Sequence, residues 1–400
     1  DNATRQRCTA KGRSGRARPC DYASDVSGTS GAIETVTRPF IVMAGVAAGL
    51  CVAALIGQSP RPPKAQLVPD TQGSLSEISI HYCAGFHAAS SATLAGLLSQ
   101  LEPDVRVNVV VEAQSEFEKL KLFLDSDTES CPRLYPIVTG FPISPWSKDR
   151  YGTMVTRHGP ALCVPHPDIA GRRISAAGDG AVPGLLARKG LELRHLPFRF
   201  DGGDLIASPD HIFMAANCLA RNQPYDQEGR RRLVAEMGAA FGKSIVVLGK
   251  SPTDVPAHHI GMYLTPLDNK TIMVGDPDWG QRVYSQITAN PPETLTGEGL
   301  GLAPFRYVRQ ALEAKGFNVI PIPLVVTPRA QVYITYNNGI LETRAGKRIF
   351  YMPTYDIPHL DDMAAAVYER HGITVKRVPV ANLYRHTGSL RCLVGIMSRK

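Results

Sequence analysis

Cysteine and histidine side chains stand at two points where the sequence could support covalent chemistry. Cys392 follows a Gly-Ser pair and has Arg391 beside it, and a neighbouring cation favours the reactive thiolate form of cysteine. His259 lies in the apolar segment 257–265, where alternation would turn its imidazole away from the apolar side. Together, a thiolate and an imidazole can carry out nucleophilic attack with acid–base assistance. Taken alone, a single cysteine or histidine more often has a structural role.

Carboxylates occur in two short motifs that could accompany these groups. Asp201 and Asp204 flank two glycines, and glycines let the backbone approach a ligand closely. Asp149 lies in the segment Trp-Ser-Lys-Asp-Arg at 146–150, where a loop carboxylate could hold a cationic ligand. The alternatives are an ordinary hairpin turn for the first motif and a solvated turn for the second.

Motifs for other chemistries are missing from the sequence. It contains no GxGxxG, P-loop, GxSxG or HExxH pattern, which removes the main support for dinucleotide, nucleotide and zinc-protease sites. Its eight cysteines include no CxxC pair and no zinc-ligand spacing. Five of these cysteines follow residue 76, and because five is odd, at least one thiol there must be unpaired.

Predicted helices and strands alternate through the part of the chain that must position these residues. Apolar residues at helical spacing, such as Leu94, Leu97 and Leu98, indicate helices, and β-branched runs indicate strands. The predicted helices are 91–101, 115–124, 305–315 and 359–371, and the predicted strands are 78–83, 105–112, 134–139, 259–267, 271–275, 319–326, 331–342, 348–353 and 373–380. The order strand, strand, helix, strand recurs without a close sequence repeat. This order predicts an α/β domain of several ββαβ modules in one ring.

The N-terminal part of the chain is predicted to lie outside this domain. Residues 1–39 are basic and rich in small polar residues, which indicates a disordered tail or sequence upstream of the true start. Residues 40–57 are an apolar run preceded by Arg38, which predicts a single hydrophobic helix that is a signal peptide or membrane anchor rather than a core helix. Residues 58–76 are predicted to be a Pro-rich linker, and residues 77–400 the catalytic domain. That domain would then be exported, either anchored or secreted, and would be cytoplasmic if the N-terminal segment is an artefact.

The composition argues against a nucleic-acid partner. The 400 residues carry a net charge of +8 and are 44% hydrophobic, which excludes a wholly disordered or collagen-like chain. Residues 1–20 hold six basic residues and one acidic one, so they supply more than half of the net charge. The remainder is too weakly basic for a phosphate-binding face, and we expect no nucleic-acid binding.

The order of the chemical motifs resembles that of one enzyme superfamily. Asp149 comes first, followed by Asp-Gly-Gly-Asp at 201–204, then His259 with Met-Tyr-Leu-Thr after it, and finally Cys392. This order resembles the guanidino-group-modifying (pentein) superfamily, which includes arginine and agmatine deiminases, peptidylarginine deiminase, dimethylarginine dimethylaminohydrolase and amidinotransferases. Over residues 77–400, the resemblance implies a five-bladed α/β propeller of ββαβ modules.

The resemblance also implies roles for single residues. Cys392 matches the nucleophile that attacks the guanidinium carbon, and His259 matches the general acid/base. Asp201 matches the acidic residue that orients the histidine, and Asp149 matches the aspartate that binds the guanidinium. The implied chemistry requires no metal ion and no organic cofactor.

Two further positions and two departures bear on the substrate. Arg221 matches, more loosely, an arginine that binds a substrate carboxylate, and Asp204 is implied as a further substrate-binding acid. Gly261 stands where most deiminases of the superfamily carry a second guanidinium-binding aspartate, which dimethylarginine-hydrolysing relatives also lack. A glycine there would leave space for a bulkier or substituted guanidine. Lys148 replaces the usual arginine before Asp149, a milder departure.

The predicted activity is therefore hydrolysis of a guanidino C–N bond in arginine or an arginine derivative, free or protein-bound, through a cysteine thiouronium intermediate. Two alternatives remain open. One is transfer of the amidino group to an amine, and the other is a guanidine-binding protein that is impaired in turnover because Gly261 replaces the aspartate. The sequence does not determine the substrate, the acceptor or the oligomeric state.

Overall fold

Five β-sheets, each of three or four strands, make up the part of the chain that the structure describes. The structure is a computed structural model, and it describes residues 65–125, 134–166, 178–222, 226–287, 301–327 and 332–400. The predicted tail and the predicted membrane segment at 40–57 lie outside the described residues. Within the described ranges, no helix is both long enough and apolar enough to span a bilayer.

Strands and helices alternate along the described chain. The strands are β1 (Gln66–Leu67), β2 (Leu75–His81), β3 (Arg106–Val111), β4 (Leu134–Val138), β5 (Gly152–Thr156), β6 (Gly159–Pro165), β7 (Glu192–Leu196), β8 (Ile206–Ala207), β9 (His211–Ala215), β10 (Ser244–Leu248), β11 (Leu264–Pro266), β12 (Thr271–Asp276), β13 (Asn318–Val326), β14 (Tyr333–Thr335), β15 (Ile340–Arg344), β16 (Lys347–Thr354), β17 (Ile373–Pro379) and β18 (Val394–Arg399). The helices are α1 (His87–Leu98), α2 (Gln114–Asp125), α3 (Val182–Ala187), α4 (Ala216–Leu219), α5 (Gln227–Phe241), α6 (Pro277–Ile287), α7 (Ala303–Glu313) and α8 (Pro358–Arg370).

One connection pattern is repeated in all five sheets. Two strands pair antiparallel, a helix follows, and the next strand returns parallel to the second, as in β15, β16, α8 and β17. The same order holds for β5 to β7, β8 to β10 and β11 to β13. The fifth sheet combines both ends of the described chain, because β18 pairs antiparallel with β2 and β3 lies parallel to β2. The predicted α/β class is therefore confirmed, with the ββαβ order present five times.

Apolar spacing explains the helices that cover these sheets. Leu94, Leu97 and Leu98 of α1 are completely buried, as the helical period predicted. Each such side chain stabilises the fold by about 1.5–3 kcal/mol relative to an exposed one. The hairpin between β11 and β12 was also predicted correctly: Asp268 Oδ1 accepts hydrogen bonds from the N–H groups of Lys270 and Thr271, both at 2.7 Å.

The predicted strand at 259–267 is wrong over its first half. Residues Ile260–Met262 form a 3₁₀ turn, and β11 begins only at Leu264. His259 immediately precedes the turn, so it does not belong to a strand ladder. The physical reason is burial: Gly261 and Tyr263, which the alternation assigned to the polar face, are buried together with Ile260 and Met262, so the segment has no polar side.

The predicted strand at 331–342 is two strands that belong to different sheets. β14 pairs with β13, whereas β15 pairs with β16. Asn337 lies between them, fully buried, and its Nδ2 donates to Thr265 Oγ1 at 3.3 Å and to the Met273 carbonyl at 3.1 Å. These side-chain bonds tie the intervening turn to the neighbouring strands. Gln331 itself lies outside the described residues.

The folded domain begins earlier than the predicted linker at 58–76 implied. β1 pairs with β5, and Gln66 lies opposite Val155. Asp70 Oδ2 accepts a hydrogen bond from the Ala207 N–H at 2.8 Å. Residues 65–76 therefore belong to the folded domain, with 66–67 and 75–76 in strands, and β1 is too short to give a strand signal in the sequence.

Candidate active site

Short 3₁₀ turns bring the predicted catalytic groups together. The turns are Ser147–Arg150, Gly202–Asp204, Ile260–Met262 and Leu390–Leu393. In or directly before these turns lie, in order, Asp149, Asp201 and Asp204, His259, and Cys392. All five side chains line one cavity of about 430 Å³, together with Trp146, Asn217, Arg221, Ala257, His258 and Thr387. The structure thus places all six predicted site residues at a single site.

The Asp-Gly-Gly-Asp segment is fixed by its own two carboxylates. Asp204 Oδ2 accepts a hydrogen bond from the Asp201 N–H at 2.7 Å, and the Asp201 carboxylate accepts one from the Asp204 N–H. This reciprocal capping holds both carboxylates in one orientation. A Cβ at Gly202 would collide with the carbonyl oxygens of Lys148 and Tyr151, so the first glycine is required by close packing.

Gly203 leaves room for the other members of the acidic site. A Cβ at this position would collide with His259 Nδ1 and would lie 2.7 Å from Asp149 Oδ1. The backbone of Gly203 is therefore closely approached, as the sequence predicted for the two glycines. The groups next to it are the side chains of His259 and Asp149, whereas the prediction was a ligand.

His259 lies between two carboxylates. Its Nδ1 is 3.4 Å from Asp149 Oδ1, and its Nε2 is 3.6 Å from Asp201 Oδ2. Burial disfavours the imidazolium, but the negative charges of Asp149 and Asp201 outweigh burial and raise the pKa of His259 to about 9. At neutral pH His259 is therefore protonated, and it holds a proton that it can donate.

The carboxylates themselves are not equivalent. Burial raises the pKa of Asp149, and the nearby cations His259 and Arg150 offset this only in part. Burial also opposes ionisation of Asp201, but its contact with protonated His259 and the charge of Arg221 lower its pKa. Asp149 Oδ1 is buried and has no hydrogen-bond partner within the described residues. Asp149 is thus the carboxylate with acceptor capacity left for a ligand.

Arg221 binds carboxylates of the chain itself. Its Nη1 donates to Asp201 Oδ2 at 2.7 Å, and its Nη2 donates to Asp204 Oδ2. This double contact uses both outer nitrogens of the guanidinium. The sequence had predicted that the same guanidinium binds a carboxylate of the substrate. The structure therefore favours a role for Arg221 in holding the two aspartates over the predicted role in substrate binding.

The same acidic group has the composition of a cation site. Asp201, Asp204 and His259 bring ligand atoms within 4.8 Å of one another, which the sequence analysis did not foresee. The guanidinium of Arg221 already contacts both carboxylates, and the His259 ring is protonated at neutral pH. Because a metal ion binds only the neutral imidazole, this donor set fits a planar organic cation better than a metal.

Cys392 is buried next to the acidic residues, with 7% of its surface exposed. Its thiol donates a hydrogen bond to Asn338 Oδ1 at 3.5 Å. Burial and the charge of Asp149 raise the pKa of Cys392 to about 11, despite the opposing charge of Arg391. The expected activation by the adjacent arginine is therefore insufficient, and Cys392 is a thiol in the unliganded protein at neutral pH. The prediction of an unpaired thiol is confirmed, since Cys83, Cys163, Cys218 and Cys392 are all free.

Asn338 is a site residue that the sequence analysis did not single out. Besides accepting from the thiol of Cys392, it donates from Nδ2 to the Gly261 carbonyl at 3.2 Å. Its backbone carbonyl accepts from the Arg391 N–H at 3.0 Å. One residue thus joins the turns that carry the histidine and the cysteine. The available signal was an Asn-Asn-Gly turn pattern inside a predicted strand.

The space beside Gly261 is filled by Arg391. A Cβ on Gly261 would lie 3.0 Å from Arg391 Nη1, and Gly261 is not among the residues that line the cavity. Arg391 is held there by Asp70 Oδ1 at 2.9 Å and by the Leu205 carbonyl at 3.1 Å. The predicted extra room for a bulkier guanidine therefore does not open at position 261.

His258 forms a neutral wall of the cavity. Its Nδ1 accepts a hydrogen bond from the His259 N–H at 2.7 Å, which assigns the proton of its ring to Nε2, 2.7 Å from the Thr387 carbonyl. Burial and the charge of His259 lower the pKa of His258 to about 4. Two consecutive histidines therefore have opposite protonation states at neutral pH.

Comparison with known proteins gives a match in structure only. No protein-family model matches the chain, and no curated protein matches it by sequence. An agmatine deiminase of C. jejuni superposes with a TM-score of 0.61 at 16% identity, covering 84% of this chain and 97% of that one. A putative peptidyl-arginine deiminase gives 0.62 at 15% identity, with 84% and 99% covered. The agmatine deiminase of Enterococcus faecalis gives 0.60 at 10% identity, with 84% and 96% covered.

These matches extend over nearly the whole length of each solved structure, and they agree with the repeated ββαβ order described above. At such low identity they establish the architecture and leave the activity to be argued from the site. The resemblance seen in the sequence is thus confirmed at the level of architecture: the chain has the fold of the guanidino-group-modifying (pentein) enzymes.

Proposed function

We propose that the chain is a cysteine-dependent hydrolase of a guanidino C–N bond in arginine or an arginine derivative. One observation carries the proposal: Cys392, protonated His259 and Asp149 line the same cavity. A nucleophile, a proton donor and a carboxylate for a cation are the groups that attack on a guanidinium requires. The agmatine deiminases with the same fold act on such a group, which supports this choice of substrate class.

Substrate binding is assigned to Asp149. A guanidinium is a planar fork of N–H groups, and it pairs best with a carboxylate that can accept two hydrogen bonds. Asp149 has a buried oxygen without a hydrogen-bond partner among the described residues. Binding a cation there also removes the cost of keeping a carboxylate charged in a buried site.

The substrate cation would generate the nucleophile. In the free protein, the pKa of Cys392 is raised to about 11 by burial and by the charge of Asp149. A guanidinium bound to Asp149 neutralises that charge and places a positive charge near the sulfur. Both effects lower the pKa of the thiol, so that Cys392 loses its proton to solvent in the complex.

The first half of the reaction then forms a thiouronium. The thiolate of Cys392 attacks the guanidinium carbon and gives a neutral tetrahedral adduct. His259 donates a proton to the departing nitrogen, and the C–N bond breaks to release ammonia or an alkylamine. His259 Nδ1 is the atom placed for this transfer, because it faces Asp149 at 3.4 Å and therefore faces the bound guanidinium.

The second half restores the enzyme. Neutral His259 removes a proton from water, and the hydroxide adds to the thiouronium carbon. Collapse of this adduct expels the Cys392 thiolate, and the hydroxyl group loses its proton to solvent to leave a neutral ureido product. Cys392 regains from solvent the proton it lost before the attack, and the amine released in the first half becomes protonated in solution, so the overall products are the ureido compound and an ammonium ion. Asp201 and Arg221 do not touch the reacting atoms in this scheme, and they hold the imidazole in place.

The test is a turnover assay with the full chain. Arginine, monomethylarginine, dimethylarginine, agmatine and an arginine-containing peptide are incubated with the protein, and ureido product is measured colorimetrically. We expect product from wild type and none from Cys392→Ser. The matched control is Cys83→Ser, which changes another free cysteine outside the cavity and should keep wild-type turnover.

Two other outcomes would replace the proposal. If product appears only when an amine acceptor such as glycine is added, and carries the amidino group, the chain is an amidinotransferase. If the folded protein binds these compounds but releases no product, and intact mass shows no adduct on Cys392, the chain is a guanidine-binding protein.

A further inference from the structure

A second, much smaller cavity is lined by Lys148, the residue next to Asp149. It encloses about 20 Å³, which is enough for one water-sized or monatomic species. Apolar residues such as Leu67, Leu205 and Ile396 form part of its wall. Its polar lining includes Asp70, Lys148 and Arg399. None of these residues has a part in the proposed reaction.

Lys148 lines this cavity, and its ammonium has no partner of its own among the described residues. Within the described chain its ammonium makes no hydrogen bond and no ion pair, and Asp70 and Asp149 act on it only through space. Burial and the charge of Arg391 lower the pKa of Lys148 to about 8, so it is still mostly protonated at neutral pH. An ammonium offers three donors, and here they lack an acceptor from the described residues.

Only one of the three guanidinium nitrogens of Arg399 makes hydrogen bonds within the described residues. Its Nη1 donates to the Gln72 carbonyl at 3.3 Å and to the Gly73 carbonyl at 3.0 Å. Its Nε and Nη2 are buried and have no hydrogen-bond partner among the described residues. Buried donors of a charged group are rarely left unpaired, because each costs the desolvation of that group.

Both oxygens of Asp70, the carboxylate that lines this cavity, already accept hydrogen bonds from other residues. Asp70 Oδ1 accepts from Arg391 Nη2 at 2.9 Å, and its Oδ2 accepts from the Ala207 N–H at 2.8 Å. Lys148, Arg391, Arg399 and Asp70 form a basic cluster, and the members that line the cavity carry two positive charges, on Lys148 and Arg399, against the one negative charge of Asp70. Glu342 acts on Arg399 only through space, and its own ion-pair partner is Arg344, whose Nε lies 3.5 Å from Glu342 Oε2.

We propose that this cavity is a binding site for a small inorganic monovalent anion such as chloride. The unpaired donors of Lys148 and Arg399 supply its ligands, and the excess positive charge supplies the attraction. A water molecule would occupy the same volume but would leave that excess charge uncompensated. The small volume favours a monatomic ion over phosphate, sulfate or a carboxylate.

The first test measures thermal unfolding of the full chain as sodium gluconate is replaced by sodium chloride at constant ionic strength. We expect the unfolding temperature to rise saturably, by about 2 °C once chloride is at roughly ten times its Kd. Lys148→Met and Arg399→Gln should each abolish this dependence. Lys400→Met is the matched control, because Lys400 is the exposed neighbour of Arg399, and this variant should keep the full response.

The second test does not depend on variants that fold. Crystals of the wild-type protein are soaked in bromide, and anomalous scattering is measured. A bromide peak between Lys148 and Arg399 supports the proposal, and its absence at saturating bromide overturns it. An identical rise in unfolding temperature with chloride and gluconate would also overturn it. Neither test uses turnover, so both are independent of the proposed hydrolase activity.

Discussion

Adjacent residues on two short turns belong to two environments of opposite charge, the large acidic cavity and the basic cluster of Lys148, Arg391, Arg399 and Asp70. In the turn Ser147–Arg150, Asp149 lines the large acidic cavity, whereas Lys148 lines the small basic one. In the turn Leu390–Leu393, Cys392 lines the acidic cavity, whereas Arg391 is bound to Asp70 of the basic cluster. Successive residues of a 3₁₀ turn point about 120° apart, so one turn can supply two environments.

The comparison explains how the charge at the sulfur is set. Asp149 raises the pKa of Cys392, and Arg391 lowers it. In the proposed reaction, the acidic cavity attracts the substrate cation, and the charge of Asp149 keeps Cys392 protonated until that cation binds. Arg391 of the basic cluster acts in the opposite direction, because its positive charge lowers the pKa of the thiol. The predictions below test the acidic side, where the expected changes are largest.

The largest effect is expected from Asp149→Asn, which removes the charge assigned to the guanidinium. We expect kcat/KM to fall by about 10³-fold, because the variant loses both the ion pair with the substrate and the main charge that keeps His259 protonated. Steady-state kinetics on the best substrate of the wild type measures this. Asp362→Asn changes an exposed aspartate and should keep full activity. Activity of Asp149→Asn within threefold of wild type would refute the assignment.

An intermediate effect is expected on the reactivity of the free thiol with pH. Since only the thiolate reacts and the pKa of Cys392 is about 11, alkylation by iodoacetamide should accelerate about 100-fold from pH 8 to pH 10. Asp149→Asn should move this profile to lower pH, and so react faster at pH 8 although it turns over more slowly. Peptide mapping by mass spectrometry separates Cys392 from Cys83, whose profile should not move. A plateau of the wild-type profile below pH 9 would contradict the raised pKa.

The smallest effect is expected from Arg221→Gln, and its pattern decides the role of this residue. If Arg221 holds Asp201 and Asp204, kcat should fall about tenfold for agmatine and arginine alike, as expected for the loss of a charge-assisted contact. If Arg221 instead binds a substrate carboxylate, KM should rise for arginine and stay unchanged for agmatine. Parallel kinetics with the two substrates distinguish these outcomes.

Local patterns predicted the fold wherever one apolar period dominates an element. α2 and β3 were predicted within one residue at each end, α2 because its apolar residues recur at helical spacing and β3 because it is rich in valine. The strands between residues 152 and 248 were not predicted. β8 has two residues and β9 is buried over most of its length, so neither shows an alternation that can be read from sequence.

The site shows the same division between local and long-range information. Asp149, Asp201, His259 and Cys392 could be chosen from residue types in a fixed order. The contact of Asn338 with Cys392 joins residues 54 positions apart, and no local pattern encodes it. At position 261 the sequence shows a glycine where an aspartate was expected, which suggested free space. Only the structure shows that the guanidinium of Arg391 occupies that space.

The pairing of β18 with β2 has a consequence for synthesis. Cys392, the proposed nucleophile, lies in the turn directly before β18, and β18 pairs with a strand made more than 300 residues earlier, with Val394 opposite Ile80. A nascent chain on the ribosome can complete four sheets while the fifth still lacks its edge. Cys392 would then not face the acidic residues until β18 has been synthesised and has paired with β2, so the proposed activity could not begin before that step.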